Sequence, residues 1–162
     1  MSSAAYVVFD GDNDKWAYAY MNGWKANKNI DFSYENAHDL DSMTGRAHDE
    51  QYVKSKLRER MKNSSAVVVL IGEKTKNLYK YVRWELELAL DLGLPIIAAN
   101  LNEKNGQDSD RCPAIIRDNG CVVHIPYKLA ALKFAMANWP GEFRGLSSAE
   151  RSRGFRYYKQ FD

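Results

Sequence analysis

Two glutamates two positions apart, Glu85 and Glu87, lie in a segment whose pattern predicts a helix from about Tyr81 to Leu92. Residues two apart on a helix point about 200° away from each other, so the two side chains face different ways. Glu87 has Arg83 and Asp91 four positions away, which predicts a surface residue paired with Arg83. The neighbours of Glu85 at three and four positions are all apolar: Tyr81, Val82, Leu88 and Ala89.

Glu85 is therefore predicted to be a carboxyl group in an apolar environment. Burial without an ionic partner disfavours the charged form and raises the pKa of such a group. Carboxyl groups of this kind are enriched at active sites, which makes Glu85 a candidate catalytic residue. The alternative is a purely structural glutamate whose side chain hydrogen-bonds to the backbone or to a tyrosine.

A second group of carboxylates, Asp10, Asp12 and Asp14, follows the first predicted strand. Such a cluster is typical of the metal-binding edge of phospho-receiver domains. A receiver also needs an aspartate at the end of its third strand, where this chain has Leu70-Ile71-Gly72. The receiver interpretation therefore fails, and capping of the following helix at its positive N-terminus is the alternative.

The chain lacks the usual nucleotide and hydrolase motifs. It has neither a Gly-x-x-x-x-Gly-Lys phosphate loop, nor a Gly-x-Gly-x-x-Gly turn, nor a Gly-x-Ser-x-Gly elbow. Its histidines (His38, His48 and His124) and its two cysteines show no ligand spacing. We expect no metal site and no bound cofactor.

The elements that must position these residues alternate in type along the chain. Short apolar strands, including the unbroken run from Ala66 to Ile71, are separated by helical patterns. This order predicts an α/β protein with a flavodoxin-like, doubly wound sheet of about five parallel strands flanked by helices. Ligands bind at the carboxyl ends of such strands, which places the loops after Phe9, Tyr34 and Ile71 at the candidate functional edge.

Length and charge limit the class of protein. The 162 residues suit one domain, predicted over 1–140, followed by a basic and aromatic tail over 141–162 that is either docked or extended. A net charge of +2 argues against a binder of long polyanions, so a nucleic-acid partner is not expected. No apolar run is long enough to span a membrane and no secretion signal is evident, so we expect a cytoplasmic protein.

Three stretches together resemble the TIR-like family, in the branch that includes the TIR-like subunit of bacterial Thoeris anti-phage systems. The strand end Val69-Leu70-Ile71-Gly72-Glu73-Lys74-Thr75 is similar to the family's V-L-I-G-x-x-T. Tyr81-Val82-Arg83-Trp84-Glu85-Leu86 resembles W-V-x-x-E-I, with Tyr81 for Trp and Leu86 for Ile. The following strand, Leu94-Pro95-Ile96-Ile97-Ala98, completes the resemblance, which covers about residues 5–101.

The resemblance implies an enzyme that cleaves NAD, its substrate, at the nicotinamide–ribose bond. Thoeris members of the family make a cyclic ADP-ribose isomer as a signal, which implies a downstream effector and allows for self-association. The family's catalytic glutamate falls on Glu85. Phe9 and Asp10 match its substrate-side loop, and Asp39 or Asp41 lies in the loop after the second strand.

Two other functions stay open at this point. One is a non-catalytic TIR-like interaction or signalling module in which the glutamate is kept for structure. The other is a different nucleoside N-glycosidase that uses Glu85 on the same sheet.

The aromatic residues, 12% of the chain, divide into two predicted groups. Trp16, Tyr20 and Trp24 recur every four residues and are expected to pack mostly in the core. A second group is expected to form an aromatic wall around Glu85 that receives a nicotinamide or adenine ring, with Tyr81 and Trp84 as substrate-binding residues. Its members are Phe9, Tyr34, Tyr81 and Trp84.

Overall fold

The computed structural model describes residues 5–26, 34–36, 50–78 and 81–162. The strands are β1 Ala5–Val8, β2 Tyr34–Asn36, β3 Val67–Ile71, β4 Ile96–Asn100, β5 Val122–Pro126 and β6 Arg156–Tyr157. The helices are α1 Lys15–Ala26, α2 Glu50–Met61, α3 Tyr81–Asp91, α4 Leu129–Arg144 and α5 Ser148–Arg151. Short 3-10 turns cover Thr75–Asn77, Ala114–Ile116 and Lys159–Phe161.

The six strands form one parallel sheet in the order β2-β1-β3-β4-β5-β6. The chain winds outward from β1 to β2, then returns to β3 and continues in the opposite direction. The predicted doubly wound α/β fold is confirmed. The switch point lies between β1 and β3, whose carboxyl ends therefore form the edge where ligands bind in such folds.

Two apolar layers cover the sheet. Helices α1 and α4 pack on one face, which we call the α1/α4 face, through Ala17, Met21 and Leu132. Helices α2 and α3 pack on the other, the α2/α3 face, through residues such as Leu57 and Leu86. Strand β3 is completely buried because both of its faces are covered, as its uninterrupted apolar run predicts. None of the described helices is long and apolar enough to cross a membrane.

The predicted packing of α1 is wrong for Trp16 and Tyr20, which are 50% and 60% exposed. The neighbouring stripe, Ala17 and Met21, is the one that packs on the sheet. A four-residue spacing defines a stripe but does not say which of two adjacent stripes faces inward. Small Ala17 lets the helix backbone approach the strands. The Trp16 and Tyr20 rings instead contact each other at a centroid distance of 6.1 Å, and Tyr20 lies 6.5 Å from the ring of Trp24, which is half-buried against the core.

Several other element predictions agree with the structure. Helix α2 buries Val53, Leu57 and Met61, the apolar stripe that the sequence indicates. Gly93 follows α3 with a φ of 67°, the left-handed conformation of a helix-ending glycine. The second strand is observed at Tyr34–Asn36, whereas most of the predicted strand 30–34 and of the following loop lies outside the described residues.

The C-terminal tail packs on the sheet. Helix α4 continues through Pro140 to Arg144, past the predicted domain boundary at residue 140, with Trp139 and Phe143 buried. Strand β6 then pairs with β5 beside Val123 and His124. Gly120 permits a close approach of α5, because a Cβ there would lie 1.9 Å from the carbonyl oxygen of Glu150. The tail therefore adds a sixth strand to the predicted five.

Candidate active site

The loop after β1 is shaped by Asp10, which is 1% exposed. Its Oδ1 accepts hydrogen bonds from the backbone amides of Asp12 and Asn13 at 2.9 and 3.2 Å. Its Oδ2 accepts a third, from the Asn13 side-chain amide at 2.7 Å. Asp10, a predicted substrate-binding residue, therefore uses its carboxylate to fix the β1–α1 turn.

Asp14, the last residue before α1, links this loop to the end of β3. Its Oδ2 accepts from the hydroxyl of Thr75 at 3.4 Å, and that hydroxyl oxygen accepts from the Gly72 amide at 2.9 Å. A Cβ at Gly72 would lie 2.3 Å from the Asp14 carboxylate, so only glycine permits this approach. The pKa of Asp14 is raised, first by burial and then by the nearby charge of Asp10, while the Thr75 hydrogen bond acts in the opposite direction.

A cavity of about 370 Å³ opens at this edge, beside the carboxyl ends of β1, β3 and β4. Its described lining comprises Asn13, Asp14, Trp16, Gly72, Glu73, Lys74, Leu101 and Arg111. We call it the strand-edge cavity. It combines a half-exposed indole, two cationic side chains and the buried Asp14 carboxyl group. Arg111 Nη2 lies 3.5 Å from the Glu73 carboxylate, an open contact with both side chains partly in solvent.

Glu85 lies on the buried side of α3, on the α2/α3 face, and is 5% exposed. Burial raises its pKa to about 8, while a side-chain hydrogen bond with Tyr6 acts to lower it. Its Oε2 has no hydrogen-bond partner among the described residues. Glu85 is thus mainly a neutral acid at pH 7, held against β1 with one oxygen unsatisfied. It lines neither the strand-edge cavity nor the second described cavity, which is treated below.

Glu85 and Glu87 lie on different sides of α3, as predicted. The Glu87 side chain is 42% exposed and accepts a hydrogen bond from Arg83 Nε at 2.9 Å, whereas Glu85 is buried on a different side of the helix. Tyr81 and Trp84, both predicted to bind substrate, contact each other edge to face at 5.5 Å. Tyr81 is 38% exposed. The Trp84 ring is half-buried and lies 4.9 Å from Lys54 Nζ of α2.

The prediction of an aromatic wall around Glu85 is wrong for Phe9, and the side chain of Tyr34 lies outside what the structure describes. Phe9 lies on the α1/α4 face, where its ring stacks on Tyr18 at 4.6 Å, and Glu85 lies on the opposite face. Side chains alternate across a strand, so Tyr6 and Val8 face α3 while Val7 and Phe9 face away. Tyr6 is the aromatic residue of β1 that meets Glu85, and this alternation was the signal that could have identified it. Asp39, the remaining predicted substrate-binding residue, lies outside the described residues.

Sequence reasoning missed most of the strand-edge cavity. Gly72 and Thr75 are the fixed letters of the quoted V-L-I-G-x-x-T segment, but the motif alone assigns them no contact with Asp14. Trp16 belongs to the stripe that was expected inside. Arg111 comes from the polar stretch between β4 and β5, whose residues carry no periodic pattern that would place them.

Within residues 5–26, 34–36, 50–78 and 81–162, no group of three or more histidine, cysteine, aspartate or glutamate side chains is placed to hold a metal ion. The two cysteines, Cys112 and Cys121, are free thiols. Burial raises the pKa of Cys112 to about 12, so it is not a reactive thiolate at neutral pH.

Comparison with known protein families gives a match. A search of curated proteins finds no relative. The family model of the Thoeris protein ThsB, TIR-like domain, matches residues 6–106, a span that includes β1, the Gly72–Thr75 segment, Glu85 and β4. This span is more than half of the 162 residues, so the chain belongs to the ThsB TIR-like family of anti-phage defence proteins.

Proposed function

We propose that this protein cleaves NAD at the bond between nicotinamide and ribose, with Glu85 as the catalytic residue. We propose further that the ribosyl product is a cyclic ADP-ribose-type signal for a Thoeris-like effector. The observation that carries the proposal is the buried carboxyl group of Glu85 with its unsatisfied Oε2. Membership of the TIR-like family supports it.

The chemistry requires negative charge near the anomeric carbon. When the N-glycosidic bond breaks, its electron pair leaves with nicotinamide, which departs as a neutral molecule, and an oxocarbenium-like ribosyl cation remains. A carboxylate in a site of low dielectric stabilises that cation strongly. Because nicotinamide is already a good leaving group in NAD, no general acid has to protonate it.

The raised pKa of Glu85 fits this role through its coupling to the substrate. The free enzyme holds Glu85 mainly as the neutral acid near pH 7. The positive charge of the nicotinamide ring close to Glu85 favours the ionised form, so substrate binding releases the proton to solvent. Water then attacks the anomeric carbon to give ADP-ribose, or an adenine nitrogen or ribose hydroxyl attacks to give a cyclic product. In each case the attacking group loses one proton to solvent as the new bond forms.

The strand-edge cavity supplies complementary groups for the rest of the dinucleotide. Lys74 and Arg111 provide positive charge for a pyrophosphate, and half-exposed Trp16 provides a ring face for a base. The proposal requires that the side chains covering Glu85 move apart when substrate binds, because Glu85 does not line this cavity.

A second candidate function is a non-catalytic TIR-like interaction module. The observation that favours it is the 5% exposure of Glu85, which leaves the carboxyl group out of contact with either described cavity. In that case Glu85 would be a structural residue that lies beside Tyr6.

Product analysis distinguishes the two functions. Purified protein is incubated with NAD, and nicotinamide, linear ADP-ribose and cyclic products are separated by liquid chromatography and identified by mass spectrometry. The proposal predicts release of nicotinamide together with a product that has the mass of ADP-ribose less one water. Release of linear ADP-ribose alone would retain the enzyme and refute cyclisation. Absence of nicotinamide release with the effector and a phage-infected lysate present would support the interaction module.

A further inference from the structure

A second cavity, of about 320 Å³, lies between the β3–α3 loop, the start of α3 and the 3-10 turn Ala114–Ile116. We call it the α3 cavity. Its apolar walls come from Leu78, Val82, Leu86 and Ile115. Its rim carries the cationic side chains of Lys76, Arg83 and Arg117, and the described lining includes no carboxylate.

Two of the three cations are held by neutral groups. Lys76 Nζ donates to the backbone carbonyl of Asp110. Arg117 Nη2 donates to the carbonyl of Cys112 at 2.8 Å. A carbonyl oxygen fixes the position of a cation without cancelling its charge. Both side chains are therefore oriented at the rim with their positive charge still available to an anion.

The Nε group of Arg117 and the ion pair of Arg83 also bear on anion binding at the rim. Arg117 Nε is buried and has no hydrogen-bond partner among the described residues, although a buried N–H donor is costly when it is left unpaired. Arg83 is paired with Glu87, but that ion pair is exposed at both ends and is worth little in water. An anion at the rim would interact with Arg117, which lines the cavity, and would compete with Glu87 for Arg83.

We propose that the α3 cavity binds a small organic phosphate, with the phosphate at Lys76, Arg83 and Arg117 and the apolar part against Leu78, Val82 and Ile115. Guanidinium groups match phosphate oxygens in geometry, and a doubly charged anion suits a rim with three cations. The volume is at the lower end of the range for small-molecule sites.

This site goes beyond the proposed NAD chemistry and does not depend on it. The β3–α3 loop separates it from the strand-edge cavity. Gly72, Glu73 and Lys74 line one side of that loop, and residues 75–78 line the other. An occupant would contact Val82 and Leu86, which flank Glu85 on the same helix.

Phenyl phosphate is a suitable probe, because it carries both a ring and a phosphate but is not a fragment of NAD. Isothermal titration of the full-length protein is expected to show saturable binding with a Kd of about 1 mM or tighter at low salt. Lys76→Gln and Arg117→Gln are each expected to weaken binding about tenfold, the effect of losing one charge-assisted hydrogen bond. Arg58→Gln is the control, since it removes a positive charge from α2, where Arg58 pairs with Asp91, away from the cavity.

The outcomes separate clearly. Weaker binding in both cavity variants but not in Arg58→Gln supports the site, and so does a Lys76→Gln effect alone if Arg117→Gln fails to fold by circular dichroism. Lack of saturable binding overturns it, as does equal binding in all variants. Equal affinity for phenol would also overturn it, because the cations would then contribute nothing. NAD turnover is not measured, so failure here leaves the proposed function untouched.

Discussion

The burial of Glu85 predicts a specific pH dependence of stability. Its pKa is raised from 4.5 to about 8 in the folded protein, so the folded state binds the proton more tightly than the unfolded chain does. The stability that this group contributes is fully present below about pH 4.5 and is lost as the pH rises towards 8. Each pH unit inside this window costs about 1.4 kcal/mol.

Glu85→Gln removes this titration while keeping the shape of the side chain. Between pH 5 and 7 the free energy of unfolding of wild type is expected to fall relative to the variant by about 2 to 3 kcal/mol, allowing for partial titration near pH 5. The amide has its own burial cost, but that cost does not depend on pH. The change in the difference, rather than its absolute size, is therefore the quantity to measure.

A second buried group, His124, also makes the stability of the wild type depend on pH, so the wild type must be compared with Glu85→Gln. His124 is fully buried, and burial lowers its pKa from 6.5 to about 4, so its contribution is present above pH 6.5 and is lost as the pH falls towards 4. As the pH rises, the contribution of His124 to the free energy of unfolding therefore increases while that of Glu85 decreases, over part of the pH window. Wild type and Glu85→Gln share His124, so its effect cancels in the comparison.

Urea unfolding at pH 5, 6 and 7, followed by tryptophan fluorescence, measures these free energies, with buried Trp139 as a reporter. Glu87→Gln on the exposed side of α3 is the matched control and should keep the wild-type pH dependence, because Glu85 is retained. A wild-type minus Glu85→Gln difference that stays constant from pH 5 to 7 would refute the burial of a neutral carboxyl group at this position.

Three further predictions concern the surroundings of Glu85 and the strand-edge cavity. Tyr6→Phe removes the hydroxyl group that acts to lower the Glu85 pKa. The rise of kcat/KM for NAD that is expected near pH 8 should therefore move to higher pH, and an unchanged pH–rate profile would exclude Tyr6 as the tuning group. Thr75→Val should lower the free energy of unfolding by about 1 to 3 kcal/mol, because Gly72 and Asp14 lose a buried hydrogen-bond partner. Thr75→Ser keeps the hydroxyl and should lose less stability, so an equal loss in the two variants would assign the effect to packing. Gly72→Ala should lower the free energy of unfolding, measured in urea, by roughly 1 to 3 kcal/mol, because the added Cβ would displace the Asp14 carboxylate. A Gly72→Ala variant as stable as wild type would contradict that close approach.

The sequence was informative wherever one pattern had one structural solution. The continuous apolar run in β3, bounded by turn residues, predicts a strand covered on both faces, and the apolar neighbours of Glu85 predict that it faces inward on α3; the structure has both. These local patterns gave the order of elements, the doubly wound sheet and the separation of Glu85 from Glu87.

The errors arose where a pattern fitted two arrangements. The stripe of Trp16 and Tyr20 and the stripe of Ala17 and Met21 are adjacent on α1, and the contact with the sheet decides between them. Asp14 and Arg111 are 97 positions apart in the chain and meet only because the parallel strands end at one edge. Such long-range contacts depend on topology, which no local spacing encodes.

We propose Glu85 as the catalytic residue of an NAD-cleaving enzyme. The most direct test is the initial rate of nicotinamide release from NAD by wild type, Glu85→Gln and Glu87→Gln, with folding verified by circular dichroism. Loss of an electrostatic group that acts in the transition state should lower the rate at least about 100-fold in Glu85→Gln. Glu87→Gln should stay within about twofold of wild type, since its exposed ion pair contributes little. Equal rates for wild type and Glu85→Gln would contradict the proposed mechanism.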